Sequence, residues 1–153
     1  MSRAYIGLGA NLGDREATIR SALAELEAAP GVELVAVSTL AETDPVGYLD
    51  QPLFLNGVAV LETSLEAREL LDLLLAVEAR HGRDRSAGPA QGPRTLDLDL
   101  LLFGNLEIRE KDLQIPHPRL HERAFVLDPL AEVAPGLEVP RLGTVEALRA
   151  RLH

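Results

Sequence analysis

The spacing of apolar residues over the first hundred positions confines this chain to few folds. A short β-compatible run, AYIGLGA (4–10), leads into a segment with Ile19, Ala22, Leu23 and Leu26 at helical spacing, which Pro30-Gly31 ends. VELVAVSTLAE (32–42) reads as a strand, TDPVGYLDQP (43–52) as a turn-rich connection, and LFLNGVAVLET (53–63) as another strand. Thr63 with Glu66 predicts a capping box for a helix that carries Leu70, Leu71, Leu74 and Val77 on one face and ends near Gly82. After a Gly- and Pro-rich loop, a last strand runs roughly from Thr95 to Phe103. The order is β-α-β-β-α-β.

That order is the split β-α-β of ferredoxin-like α+β folds, in which two helices pack on one face of an antiparallel sheet. The residues beyond it read as additional C-terminal elements: a Pro-bounded loop, short helices, and a last helix from about Thr144. No repeat, low-complexity tract or linker divides the chain, so 1–153 is expected to form a single domain, with enough apolar material, 46% of residues, for a core. No apolar run approaches the ~18 residues of a membrane span, and Met1-Ser2-Arg3-Ala4-Tyr5 lacks the flanks of a signal peptide. A cytoplasmic monomer is the expectation. With no cysteine, disulfides and Cys-ligated metals are excluded.

The last strand holds the chemistry. Residues two apart on a strand share a face, so Asp97 and Asp99 point one way while Leu96, Leu98 and Leu100 point into the core. Two carboxylates held side by side repel unless a cation joins them, and magnesium takes hard oxygen ligands while leaving other positions to phosphates. An acidic wet edge strand would also explain the pair. The formal charge of −9 disfavours nucleic acid and anionic membranes as partners, yet from Arg80 to Arg94 four arginines stand against one aspartate. Arg83, Arg85 and Arg94 offer donor forks for phosphate oxygens just before the acidic strand, and a polyphosphate is the ligand that wants both. The Gly and Pro residues of that loop suit a lid that closes over a nucleotide.

Other stretches say less on their own. His117, fixed between Pro116 and Pro118, reads more simply as structural than as a ligand. GLGANLG (7–13) is spaced G-x-G-x-x-x-G, which suits a tight strand-to-helix connection better than a dinucleotide loop. Phe54 and Asn56 share a strand face and could receive a flat heterocycle as ring and amide. Two further readings stay open on these residues: a palm-like nucleotidyl transferase or cyclase, and a ferredoxin-like module that binds a small molecule without catalysis.

Taken together, AYIGLGANLGD, TDPVGYLDQPLFLNGV, ELLDLLLAVEARHGRDR, GPRTLDLDLLLFG and IPHPRLHERAFVLDPLAEVAP resemble the 6-hydroxymethyl-7,8-dihydropterin pyrophosphokinase family over about residues 4 to 136. The block G-P-R-x-x-D-L-D-L-L carries most of the specificity. The resemblance implies a ferredoxin-like fold and transfer of pyrophosphate from ATP to the hydroxymethyl group of the dihydropterin in folate biosynthesis, giving AMP. It implies two Mg²⁺ ions on Asp97 and Asp99, with Arg83 and Arg94 assisting the transfer from the lid. Arg83, Arg85, Arg94, Leu100, His117 and Arg123 correspond to nucleotide-binding positions, and Glu78 is a further candidate. Phe54 and Phe125 correspond to the rings that sandwich the pterin, Asn56 to its amide, and Thr43, Pro45 and Val46 to the pocket wall. The chain departs from the family pattern at Gln91, Asp112 and Pro118.

Overall fold

Side chains of the central strand alternate between two cores, and that division fixes everything around it. The computed structural model describes residues 1–44, 53–82 and 96–152. Strand β1 (Ser2–Ala10) is followed by helix α1 (Arg15–Ala28), β2 (Val32–Val37), β3 (Ala41–Thr43), β4 (Phe54–Thr63), α2 (Ala67–Arg80) and β5 (Asp97–Phe103). The strands lie in the order β2-β4-β1-β5, β3 pairs with the start of β4, and every pairing is antiparallel. This is the ferredoxin-like arrangement that the element order implied.

On one face of the sheet, Ala4, Ile6, Leu8 and Ala10 of β1 pack with Ile19, Leu23 and Leu26 of α1 and Leu70, Leu74 and Val77 of α2. The expectation of two helices on one face thus holds for α1 and α2, but the opposite face is covered as well. Tyr5, Val58, Val60, Leu101 and Leu102 meet Val126, Leu127 and Leu130 of α3 (Ala124–Val133) and Val145 and Leu148 of α4 (Val145–Leu152). β4 explains why. Val58, Ala59, Val60 and Leu61 are apolar without alternation, as a strand buried on both sides must be.

Three local expectations need correction. The stretch 32–42 is not one strand: it breaks after Val37, where Ser38 donates its N–H to Val58 O at 2.9 Å and its Oγ accepts from Val58 N at 2.9 Å. The bend closes on Gly57, where a Cβ would stand only 2.6 Å from Leu40 Cδ2. The capping box lies three residues later than expected. Thr63 is still within β4, with its hydroxyl donating to Gly31 O at 2.7 Å, and it is Glu66 that caps α2, its N–H bound by Glu69 Oε1 at 2.9 Å. After β5, the chain forms two small hairpins besides the expected helices: β6 (Ile108–Glu110) with β7 (Leu113–Ile115), and β8 (Glu138–Val139) with β9 (Gly143–Thr144).

β5 carries one irregularity that matters for the site. Tyr5 pairs with Leu102 but Ile6 with Leu100, so Leu101 is an extra residue and the strand bulges there. Leu101 and Leu102 both serve the second core, while Leu98, Leu100 and Phe103 serve the first. No described helix is long and apolar enough to cross a membrane.

Candidate active site

Asp97 and Asp99 open on the face of the sheet that α3 covers, into a cleft that also touches Thr43, Phe54, Asn56, Arg123 and Phe125. The sheet register builds its floor. Gly9 pairs with Asn56 on one side and Asp97 on the other, and Gly7 with Val58 and Asp99. The row Asn56, Gly9, Asp97 therefore crosses three strands, with no side chain in the middle. A Cβ on Gly9 would meet Asn56 Oδ1 at 3.6 Å and Asp97 Cβ at 3.8 Å; it would fit, but it would occupy the floor. The sequence reading treated GLGANLG as a tight connection and missed these glycines. The signal was available: positions 7 and 9 lie two apart on a strand, so both bare the same face.

Asn56 stands at the far end of that row. Its Nδ2 donates to Thr43 Oγ1 at 3.3 Å, while its Oδ1 is buried with no hydrogen-bond partner among the described residues. A buried acceptor left unmade is costly, and here its residue lines the cleft. Phe54 offers a ring from the sheet and Phe125 one from the first turn of α3. The guanidinium of Arg123 lies 5.5 Å from the Phe125 ring centroid, within cation–π range.

A second groove adjoins the first through Asp99. Leu71, Leu98, Leu100, Lys111, Gln114 and His117 line it. His117 gives its backbone N–H to Leu101 O at 2.9 Å, and its Nδ1 accepts the N–H of Arg119 at 3.2 Å. The proton of the neutral ring therefore sits on Nε2. Burial, with the positive charges of Arg123 and Arg119 added, pushes the imidazole down to about 4, against the opposing pull of Asp97. His117 is thus a neutral donor.

Glu78 sits apart from both clefts. It is 1% exposed within α2, and its Oε2 accepts the backbone N–H of Leu98 at 2.7 Å. Arg80, counted with the basic loop in the sequence, turns instead to α1, where its Nε lies 2.5 Å from Glu25 Oε1 beside His81 Nε2 at 2.6 Å from Oε2. The Arg80 hydrogen bond, with help from His81, holds the Glu25 carboxyl below its usual range. Asp112 is bound by Arg68 at 2.7 Å, and that same guanidinium also holds Glu110. The structure thus brings together Thr43, Phe54, Asn56, Asp97, Asp99, Arg123 and Phe125, with Leu100 and His117 in the adjoining groove. Pro45, Val46, Arg83, Arg85, Gln91 and Arg94, and with them the lid, lie outside the described residues.

A family model of 7,8-dihydro-6-hydroxymethylpterin-pyrophosphokinase (HPPK) matches residues 5–135, a span that runs from β1 through α3 and holds the whole site. The chain belongs to the HPPK family. It is 48% identical over 140 residues to the 2-amino-4-hydroxy-6-hydroxymethyldihydropteridine pyrophosphokinase of Pseudomonas aeruginosa, covering 92% of this chain and 85% of that protein. With its Bacillus subtilis counterpart it shares 49% over 135 residues, covering 88% and 80% respectively. A crystal structure of the Plasmodium falciparum HPPK-DHPS wild type with pteroate superimposes with a TM-score of 0.78 at 15% identity, over 99% of this chain and only 42% of that one. That likeness speaks for the fold. As an HPPK, the chain is an enzyme of folate biosynthesis that transfers pyrophosphate to hydroxymethyldihydropterin, which sets aside the cyclase and the non-catalytic readings.

Proposed function

We propose that the Gly-floored cleft takes the pterin of 6-hydroxymethyl-7,8-dihydropterin, while Asp97 and Asp99 bring in the triphosphate of ATP with Mg²⁺. One observation carries this reading: the ring-binding residues and the paired carboxylates open on the same floor. Two strand spacings separate Asn56 from Asp97, roughly 10 Å, which suits a bicyclic ring with its hydroxymethyl arm. Asn56 Oδ1 takes a ring or amino N–H, Thr43 fixes the amide's orientation, and Phe54 and Phe125 hold the flat ring between them.

The carboxylate pair suits magnesium. It supplies hard oxygens from one side, and among the described residues no cluster of three or more His, Cys, Asp or Glu offers a closed protein cage. Bound there, two Mg²⁺ ions would neutralise the triphosphate and hold it in line. Leu100 and His117 place the nucleotide in the adjoining groove, where the neutral ring donates from Nε2 without adding charge. Arg123 lines the pterin cleft, close enough to His117 for its charge to act on that ring, and is assigned to the nucleotide on the strength of the resemblance. Glu78 serves from behind the strand, and Arg83, Arg85 and Arg94 are assigned to the phosphates and Pro45 and Val46 to the ring pocket on the strength of the resemblance.

The substrate supplies its own nucleophile. The hydroxymethyl oxygen attacks the β-phosphorus of ATP, the bond from that phosphorus to the α–β bridging oxygen breaks, and AMP leaves. Incubation with ATP, Mg²⁺ and the hydroxymethyl dihydropterin should yield AMP and pterin diphosphate in equal amounts. ADP or free pyrophosphate as the product would contradict the assignment, and full turnover with excess chelator would remove the metal from it.

A further inference from the structure

Arg15, the first residue of α1, reaches both strands that carry the ring-binding wall. Its Nη1 donates to Leu53 O at 2.9 Å, and Nη1 and Nη2 each stand 3.3 Å from Glu42 Oε2. Leu53 immediately precedes β4, and Glu42 is the middle residue of β3. In the register of that pair Glu42 faces Leu55, Thr43 faces Phe54 and Ala41 faces Asn56. Alternation then sends Leu55 toward the core under α1 and α2, and Thr43, Phe54 and Asn56 toward the cleft. Arg15 thus grips, from the α1 side, the backs of the strands whose fronts face the ligand.

The grip has reason to matter. β3 has only three residues and, among the described residues, a single strand neighbour, so few ladder bonds locate it. The root of Arg15 is fixed, because Asp14 Oδ1 caps α1 by accepting from Ala17 N at 3.1 Å. A planar guanidinium can serve a carbonyl and a carboxylate at once. Its side chain is 28% exposed, partly shielded from water.

We infer that Arg15 is a positioning residue for the pterin wall: it holds the adjoining ends of β3 and β4 against α1 and so sets Thr43, Phe54 and Asn56. The inference rests on the assignment of the Gly-floored cleft to the pterin.

Two measurements on Arg15→Ala and Arg15→Lys test it. In ligand-free protein, amide hydrogen exchange across residues 41–44 and 53–56 should quicken about tenfold in the Ala variant and return toward wild type in Lys, which keeps a donor for Leu53 O. In steady-state kinetics the KM for the pterin should rise about fivefold to tenfold in the Ala variant, with kcat and the KM for ATP within about twofold of wild type. Should the Ala variant not fold, Arg15→Gln is read in the same way. Unchanged exchange, or equal rises in both KM values, overturns the inference. Because exchange is read without ligand, a wild-type protein that ignored the pterin would sink the substrate assignment while this anchor stood or fell on its own.

Discussion

Glu78, buried in α2, accepts the backbone N–H of Leu98 at 2.7 Å, so a carboxylate in the core holds the residue that stands between Asp97 and Asp99. A carboxylate is rarely this deep unless its hydrogen bonds are made. Glu78→Ala should leave the Leu98 N–H unsatisfied and cost about 1–3 kcal/mol of stability, and turnover should fall because the strand bearing both aspartates is loosened. Glu78→Gln keeps an acceptor and should retain most of both. Urea unfolding with parallel kinetics checks this; an Ala variant as stable and active as wild type would refute it.

Asn56 faces the cleft with a buried acceptor that has no partner among the described residues. Asn56→Ala should therefore weaken pterin binding by about 1–3 kcal/mol, roughly fivefold to 150-fold, and leave ATP binding unchanged. Calorimetric titration with each ligand separates the two effects. Equal losses for both would point to general damage.

Gly9 is the floor between Asn56 and Asp97. Gly9→Val suits a strand backbone, so the fold should persist, but its side chain would fill the space the ring requires. Loss of pterin binding with an unfolding midpoint within a few degrees of wild type is the expected outcome. Wild-type affinity in that variant would show that the ring binds elsewhere.

His117 gives the pH dependence a direction. In the unfolded chain it takes a proton near its ordinary value of 6.5, but in the folded protein only at about 4. Unfolding therefore takes up a proton between those values: this contribution is intact above 6.5 and is lost as pH falls toward 4. Each pH unit across that window is worth at most about 1.4 kcal/mol. Chemical denaturation across the window should show His117→Asn losing less stability than wild type on acidification. Parallel losses would remove His117 from the acid response.

Much of this was legible in the sequence because period is a strong signal. The switch between two and helical spacing exposed β1, α1, β4, α2 and β5 but ran β2 and β3 together, and Asp97 and Asp99 declared their shared face by standing two apart. What failed was whatever depends on contacts distant in sequence. Thr63 looked like a cap because nothing in the sequence shows that β4 still holds it. That the Glu78 carboxylate accepts the Leu98 N–H shows only in the packing of α2 on β5. The second layer of α3 and α4 was hinted at by the unbroken apolar run Val58–Leu61, but two-residue strands such as β8 and β9 are too short to leave a pattern. Gly7 and Gly9 mattered for the side chains they lack, which only the register against Asn56 and Asp97 shows.

The central claim is that Asp97 and Asp99 dock a metal-bound triphosphate beside an independently formed pterin cleft. Titrating an unreactive ATP analogue with Mg²⁺ into wild type and into Asp97→Asn/Asp99→Asn, and then the pterin into each, tests it most directly. Metal-dependent nucleotide affinity should drop about a hundredfold or more in the double variant, a loss of about 2.7 kcal/mol or more, while pterin affinity stays within about threefold. Undiminished magnesium-dependent nucleotide binding in that variant would contradict the account.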